Sequence, residues 1–305
     1  MQGGGVAIPL VLDKGMARPN SSSVLALPFA AVLATFFVLP LILVVVVSFW
    51  DYTEYSLIPD FILMNYQELF HGCFDWGNGL CTTFATYLST FKYVLLTWFF
   101  TLVIGFGVAL YLVFCVRSLK MQIVLFLICT IPFWTSNVIR MISWIPLLGR
   151  NGIVNTSLMS MGIIDQPIEW LLYSGFSVTL GFVHLYTLFM VVPIFNSMAK
   201  IDKSLIEAAK DSGASAWQVI TNIIIPLSRS GIMIGSIFVI TIVVGDFITI
   251  GVLGGQQIAS VGKIIYVEMS YLQFPAAAAN AVVLVTITLL MVAAMMRIVN
   301  VRKEL

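Results

Sequence analysis

Few side chains in this sequence are placed to do chemistry, and none in a pattern that makes or breaks bonds. The two histidines, His71 and His184, stand far apart. No His-Glu-x-x-His, no Gly-x-Ser-x-Gly and no cluster of histidines and cysteines at metal-ligand spacing occurs. A Gly-x-x-x-x-Gly-Lys-Ser/Thr phosphate loop is missing too, so the expectation is no catalytic residue, no metal and no cofactor on this chain. What stands out instead is charge in apolar surroundings. Asp246 and Arg140 lie within hydrophobic runs, where a charge costs roughly 2.5 to 3.5 kcal/mol and therefore faces a cavity or a partner. Both sites admit two readings: a water-filled path, or pairing with each other or with neighbouring helices, the latter being the simpler for Arg140. For a cationic solute, Asp246 offers a counter-charge, Trp134 and Tyr266 offer aromatic faces, and Asn137 lies beside them as a polar group. Tyr266 reads equally well as an interface anchor, and His184 as a packed, hydrogen-bonded histidine.

The elements that must position these residues follow from composition. Of 305 residues, 60% are hydrophobic and 10% charged, with a mean hydropathy of +1.03, whereas soluble domains carry about 25% charged residues. Lipid has to cover much of such a surface. A bilayer core of about 30 Å takes about 20 apolar residues of helix, and runs of that kind fall at 24–49, 93–116, 123–145, 176–198, 232–253 and 276–296. Backbone polar groups cannot go unpaired in lipid, so the expectation is an all-α, polytopic membrane protein of six transmembrane helices. Residues 1–23 are read as a cytoplasmic N-terminal segment, 24–299 as the transmembrane domain and 300–305 as a cytoplasmic tail.

Orientation is set by lysine and arginine near the span ends. With the N-terminus inside, Lys14, Arg18, Arg117, Lys120, Lys200, Lys203, Lys210, Arg229, Arg297, Arg302 and Lys303 are cytoplasmic, against Lys92, Arg150 and Lys263 outside. The outer segments are also acidic, with Glu54, Glu68, Asp75 and Glu268 among their residues. That fits a surface that attracts cations, or ordinary loop solubility. Cys73 and Cys81 sit in one such loop and are candidates for a disulfide if it faces an oxidising compartment; Cys115 and Cys129 sit in apolar runs. The net charge of +1 gives no general pull toward nucleic acid.

One inner loop, 200–229, is too long and too charged to be a plain connection. Ser204 with Glu207 three residues on makes a capping box, and Gly213 is a natural stop. A short helix over 205–212 is therefore predicted, with Leu205, Ala208 and Ala209 on a small-residue face that a partner can approach closely. A second helix over 214–225 is expected to end at Pro226.

Glu207-Ala208-Ala209, then Gly213, then Ile223-Ile224-Ile225-Pro226 resembles the EAA loop of bacterial ABC importer permeases, with Ile225 where that family usually has leucine. The resemblance implies the type I ABC importer (MetI-like) permease fold. It also implies a coupling helix that docks on a separate ATPase dimer through Glu207, Ala208, Ala209 and Gly213, with ATP and Mg on that partner. The stretch Ile131 to Arg140, Asp202 to Ala209 and Gly245 to Thr249 are similar to segments of the polyamine-type permeases, the spermidine/putrescine group, from 24 onward. Ile250 stands where that group has proline, which puts the unwinding of the fifth span in question.

This resemblance implies half of a translocation pathway for a small charged solute, a polyamine first and an amino acid, opine or phosphonate as alternatives. It also implies a second, homologous permease in a heterodimer, a periplasmic solute-binding protein, and residence in a bacterial inner membrane with both termini cytoplasmic. The rival is an ion-coupled carrier or channel, for which a buried aspartate would also suit. The capped helix discriminates, because a carrier driven by an ion gradient has no use for a docking knob.

Overall fold

The structure is a computed structural model and describes residues 21–53, 56–73, 80–255 and 257–298. Lys14, Arg18, Glu54, Asp75, Arg302 and Lys303 lie outside the described residues, as do the tail 300–305 and all but the last three residues of 1–23. The chain divides into two compact units, with the boundary between Val46 and Val47.

The described part of the first unit is the apolar helix α1, which runs from Ser21 to Val47 at the boundary. It contains a widened π turn at Ala34–Val38, two residues before Pro40. Proline lacks an N–H and its ring collides with the carbonyl one turn back. A wider turn at that point lets the helix run on.

The second unit begins with a two-residue hairpin, β1 (Asp51–Tyr52) on β2 (Leu57–Ile58), antiparallel with Asp51 opposite Ile58. A short helix α2 follows (Met64–Leu69). Asn65 fixes this region, its side-chain amide donating to the carbonyls of Ser48 (3.0 Å) and Trp50 (2.9 Å). The long helices are α3 (Thr82–Cys115), α8 (Gly175–Met198), α10 (Ala216–Gly245) and α13 (Phe274–Ile298). Between them lie α4 (Leu119–Thr130), α5 (Asn137–Ile142), α6 (Trp144–Leu148), α7 (Ile153–Ser160), α9 (Lys203–Asp211), α11 (Phe247–Leu253) and α12 (Val261–Ser270).

Among the described residues, five helices are long and apolar enough to cross a membrane, and a sixth span results if the bent pair Leu119–Trp134 and Asn137–Ser160 is counted as one. The protein is thus an all-α, multi-pass membrane protein, as the apolar runs require.

The core is the three-way packing of α3, α8 and α10. Phe182, Leu185, Met190, Ile194 and Met198 of α8 are fully buried between its neighbours. Trp98 of α3 donates its indole N–H to Ser236 of α10 (2.8 Å). At the crossing of α8 and α10 the backbones nearly touch: a Cβ on Gly231 would lie 2.4 Å from the carbonyl oxygen of Pro193. Replacing Gly231 by leucine is expected to force the two helices apart and to cost about 1–3 kcal/mol or more. Fluorescence-detected size exclusion after heating should show a lower melting point than that of Gly107→Leu, whose Cβ would meet nothing within 4 Å.

Several boundaries differ from the sequence reading. The second span starts at Thr82 rather than 93, because Cys81 caps a turn whose polar residues are buried: Thr86, Thr90 and Thr97 are 4% exposed or less. Lys92 therefore sits within a helix. The third span, expected as one rod over 123–145, is bent by 90°. A tight turn at Ile131–Trp134 holds Pro132, and Thr135 and Ser136 are extended. The fifth span is displaced toward the N-terminus, running over Ala216–Gly245 rather than 232–253. Pro226 does not end it, since a π turn at Ile220–Ile224 stands two residues ahead of that proline, as before Pro40.

Candidate functional site

Two regions carry the residues singled out above. The first is the segment between α8 and α10. Helix α9 starts two residues earlier than the Ser204 capping box predicts: Asp202 is the cap, its carboxylate accepting from the backbone N–H of Ser204 (3.0 Å). That bond holds the Asp202 carboxyl below the usual carboxylate range. Ser204 is left inside the helix, and its hydroxyl is not the cap. The reciprocal box lies further on instead, where Ser215 and Gln218 cap the start of α10.

The stop at Gly213 is a left-handed residue, φ +84°. Its N–H donates to the carbonyl of Lys210 (2.9 Å), and the next N–H, of Ala214, reaches the carbonyl of Ala209 (3.0 Å). This is the paired bonding of a Schellman motif, which glycine enters without a Cβ penalty. Because α10 begins at Ala216, two residues separate this turn from a helix that continues through the bundle. The segment is a lever rigidly joined to the fifth span, not a pair of separate surface helices.

The faces of α9 sort its residues. Ile206 is 9% exposed and belongs to the core, and Ala209 packs against the same core. Leu205, Glu207, Ala208 and Gly213 are exposed, Leu205 by 50%. Of the residues expected at the docking contact, the structure therefore turns Glu207, Ala208 and Gly213 outward and half-buries Ala209. A groove of about 420 Å³ runs between α9 and α10 beside them, lined by Ala209, Gly213, Gln218 and Asn222 among others. Trp217, 71% exposed, stands next to it.

The second region is the end of the fifth span, where Asp246 separates α10 from α11. Asp246 interrupts the helix and caps α11, accepting from the N–H of Thr249 (2.9 Å), from the Thr249 hydroxyl (2.5 Å) and from the Tyr186 hydroxyl of α8. The break forms although Ile250 stands in place of the proline, with the Asp246 side chain taking the freed N–H of Thr249. Phe247, next in sequence, stacks on Tyr266 of α12 with ring centroids 5.0 Å apart and planes at 17°.

Helix α5 packs against both α11 and α8, and α5 and α11 each begin directly after non-helical residues, 135–136 and Asp246. Arg140 on α5 donates to Asn137, and its guanidinium lies 5.8 Å from the ring centroid of Phe133. Among the described residues no ion pair joins Arg140 to Asp246. Trp134 is 87% exposed and does not join this cluster. His184 accepts the Trp144 indole N–H on Nδ1 (3.1 Å).

Tyr186, Thr249, Phe133 and Phe189 were missed from sequence. Phe133 and Phe189 meet edge to face at 5.0 Å, and Phe189 lies 6.2 Å from Tyr186. The one signal for Thr249 was its place three residues after Asp246, the capping distance. A tyrosine in an apolar span gives none.

Cys73 and Cys81 are joined, with Cα atoms 4.8 Å apart. Cys115 is exposed and Cys129 half-exposed, so neither fills the core of this chain.

No family model matches the chain. It is 33% identical over 239 residues to the spermidine/putrescine transport system permease protein PotB of Haemophilus influenzae, covering 76% of this chain and 78% of that one. To the Escherichia coli protein of the same name it is 31% identical over 261 residues, covering 85% and 90%. Among solved structures, a chain of the bacterial ABC transporter that imports the acidic polysaccharide alginate superimposes with a TM-score of 0.71 at 18% identity, covering 91% of this chain and 94% of that one.

Proposed function

Since the chain belongs to the spermidine/putrescine permease family of ABC importers, we propose that it forms half of a translocation pathway for a polyamine cation and couples to an ATPase through α9. The chain is a transport subunit and not an enzyme; ATP is hydrolysed on a separate chain. The observation that carries the pathway reading is the packing of two short helices that each begin at an interruption of helical backbone. Helix α5, which follows the non-helical residues Thr135 and Ser136, packs on α11, which Asp246 caps. Irregular backbone at membrane depth is tolerated where it lines a water-filled cavity or is buried against protein, not where it faces lipid. In transporters such breaks supply the solute site. Asp246 gives that site a carboxylate and Tyr266, through its stack with Phe247, an aromatic wall for an ammonium group.

Coupling is supported by the other end of the bundle. The α9 lever presents Leu205, Glu207 and Ala208 outward while Ile206 and the Schellman turn fix it to the core. Arg117, Lys120, Lys200, Lys203 and Lys210 gather at that same end, which supports placing it on the cytoplasmic side with the termini. The exposed stretch 131–139, apolar but for Thr135, Ser136 and Asn137, is the face we assign to a second, homologous permease. A periplasmic binding protein then delivers solute at the opposite end.

Reconstitution tests this reading. The chain, purified with a second permease, the ATPase pair and the binding protein, should take up spermidine or putrescine into liposomes only with ATP. Uptake by this chain alone on an ion gradient would overturn it, and a working complex with two copies of this chain would overturn the heterodimer.

A further inference from the structure

Arg140 is the charge that the fold leaves uncompensated. It stands in an apolar run within the bent span and is only 8% exposed. Among the described residues no carboxylate pairs with it. Asp246 does not serve, because it accepts from Thr249 and Tyr186 instead. Of the guanidinium nitrogens, Nη2 donates to the Asn137 side chain, and Nε has no partner and is sealed in. Nη1 makes no hydrogen bond either, yet it is not among the sealed atoms and so reaches the surface. A buried guanidinium without a counter-charge is strongly unfavourable, and the neutral amide oxygen of Asn137 offsets only part of that.

The opening gives onto a particular face. Phe133 lies under the guanidinium and Asn137 beside it. Both belong to the stretch 131–139, every residue of which is exposed. Ile131, Trp134 and Ile139 each leave more than half of their surface uncovered there. Lipid is a poor cover for this face, because Thr135 and Ser136 put non-helical backbone on it, and such backbone at membrane depth has to meet protein or water. Water in turn is a poor cover for three large apolar side chains. A protein helix that brings apolar side chains and one carboxylate satisfies both.

We propose that Arg140 anchors an ion pair between the two permease subunits, in which an aspartate or glutamate of the second permease lies over the 131–139 face and accepts from Nη1. The proposal rests on the heterodimer reading and adds the contact that selects the partner. A carboxylate is the side chain that supplies negative charge inside a protein interface and matches guanidinium donors. The same charge works against a symmetric pairing of this face with itself. Two copies meeting there would bring Arg140 against Arg140, and like charges brought together out of water repel.

The test uses this chain assembled with the second permease and the ATPase pair. The complex carrying Arg140→Lys, which keeps the charge and supplies an amine, is treated with dicyclohexylcarbodiimide, which joins an amine to a carboxylate in contact with it. Mass spectrometry of the digest is expected to find position 140 cross-linked to an acidic residue of the second permease. Arg140→Met should weaken association of the two permeases at least about thirtyfold, and Arg140→Lys less than about tenfold. Purified by itself, the Arg140→Met chain should melt no lower than wild type, since the substitution removes a charge that this chain alone does not compensate. Arg140→Glu should separate the subunits, and replacing the cross-linked acid by arginine should bring them back together.

A cross-link to Asp246 of this chain would overturn the proposal and make the charge an internal one. So would unchanged association in Arg140→Met, and if that variant then bound less solute or less anionic lipid, the guanidinium would belong to those anions instead. In both cases the heterodimer stands. A wild-type complex that holds only two copies of this chain would overturn the heterodimer and this ion pair together.

Discussion

Replacing Ala208 by arginine should abolish ATP-driven uptake while leaving the permease folded. Arginine is nearly as good a helix former as alanine, and the position is exposed on α9, so the helix and its attachment through Ile206 survive. What changes is the outward face. A bulky cation between Leu205 and Asp211 keeps a partner surface from closing on the helix backbone. Loss of a central contact of that kind costs about 2 kcal/mol or more, at least about thirtyfold in affinity. The check is whether the ATPase still co-purifies, with the melting point of the permease as the control. Ala209→Leu should behave differently. Ala209 packs inward beside Ile206, so extra volume there overpacks the core and lowers stability by about 1–3 kcal/mol. If Ala208→Arg retains the ATPase and full uptake, α9 is not the docking element.

The second large effect is expected at Asp246, where two substitutions separate fold from function. Asp246→Ala removes the acceptor for the Thr249 N–H, the Thr249 hydroxyl and the Tyr186 hydroxyl together. Tyr186 is 4% exposed, and leaving its hydroxyl unpartnered costs about 1–3 kcal/mol, with a further ~1 kcal/mol for the lost cap. That variant should melt markedly lower and transport nothing. Asp246→Asn keeps an oxygen for the Thr249 N–H and removes the charge; its NH2 takes the place of the second oxygen, and the Thr249 and Tyr186 hydroxyls can turn to accept from it. It should fold close to wild type yet lose polyamine uptake by about tenfold or more, since the counter-charge to an ammonium is gone. Unchanged uptake and unchanged solute-stimulated ATP hydrolysis in Asp246→Asn would confine the residue to its capping role.

The two sites were legible from sequence to different degrees. The α9 segment was found because its signals are local. Gly213 had to stop a helix wherever that helix packed, and a stretch with both charge and helical caps stands out in an apolar chain. What failed was the choice between two adequate caps, Asp202 and Ser204, two residues apart. Geometry selected Asp202 because Ile206 had to face the core. Ala209 was assigned to the docking face on the strength of its size, and size cannot say which way a small residue points.

The Asp246 region was only partly legible. A charge in an apolar run advertised itself, yet its partner did not, because Tyr186 lies on another helix and a tyrosine in a span is ordinary. The pairing with Arg140 that the sequence allowed does not form. Arg140 turns instead to Asn137, on its own helix, and to Phe133, just before that helix begins.

By itself the sequence determined that this chain crosses a membrane as helices, since 60% apolar residues in long runs leave the backbone no other way to satisfy its polar groups in lipid. It also determined where a capped helix would interrupt that pattern. Only the tertiary structure decided where the spans break. Hydropathy measures composition along the chain and is blind to the capping bonds at Asp246, to the extended residues after Pro132, and to the π turns that let α1 and α10 run past their prolines. How the Asp246 break is held depends also on atoms that meet across helices, as in the bond from the Tyr186 hydroxyl of α8.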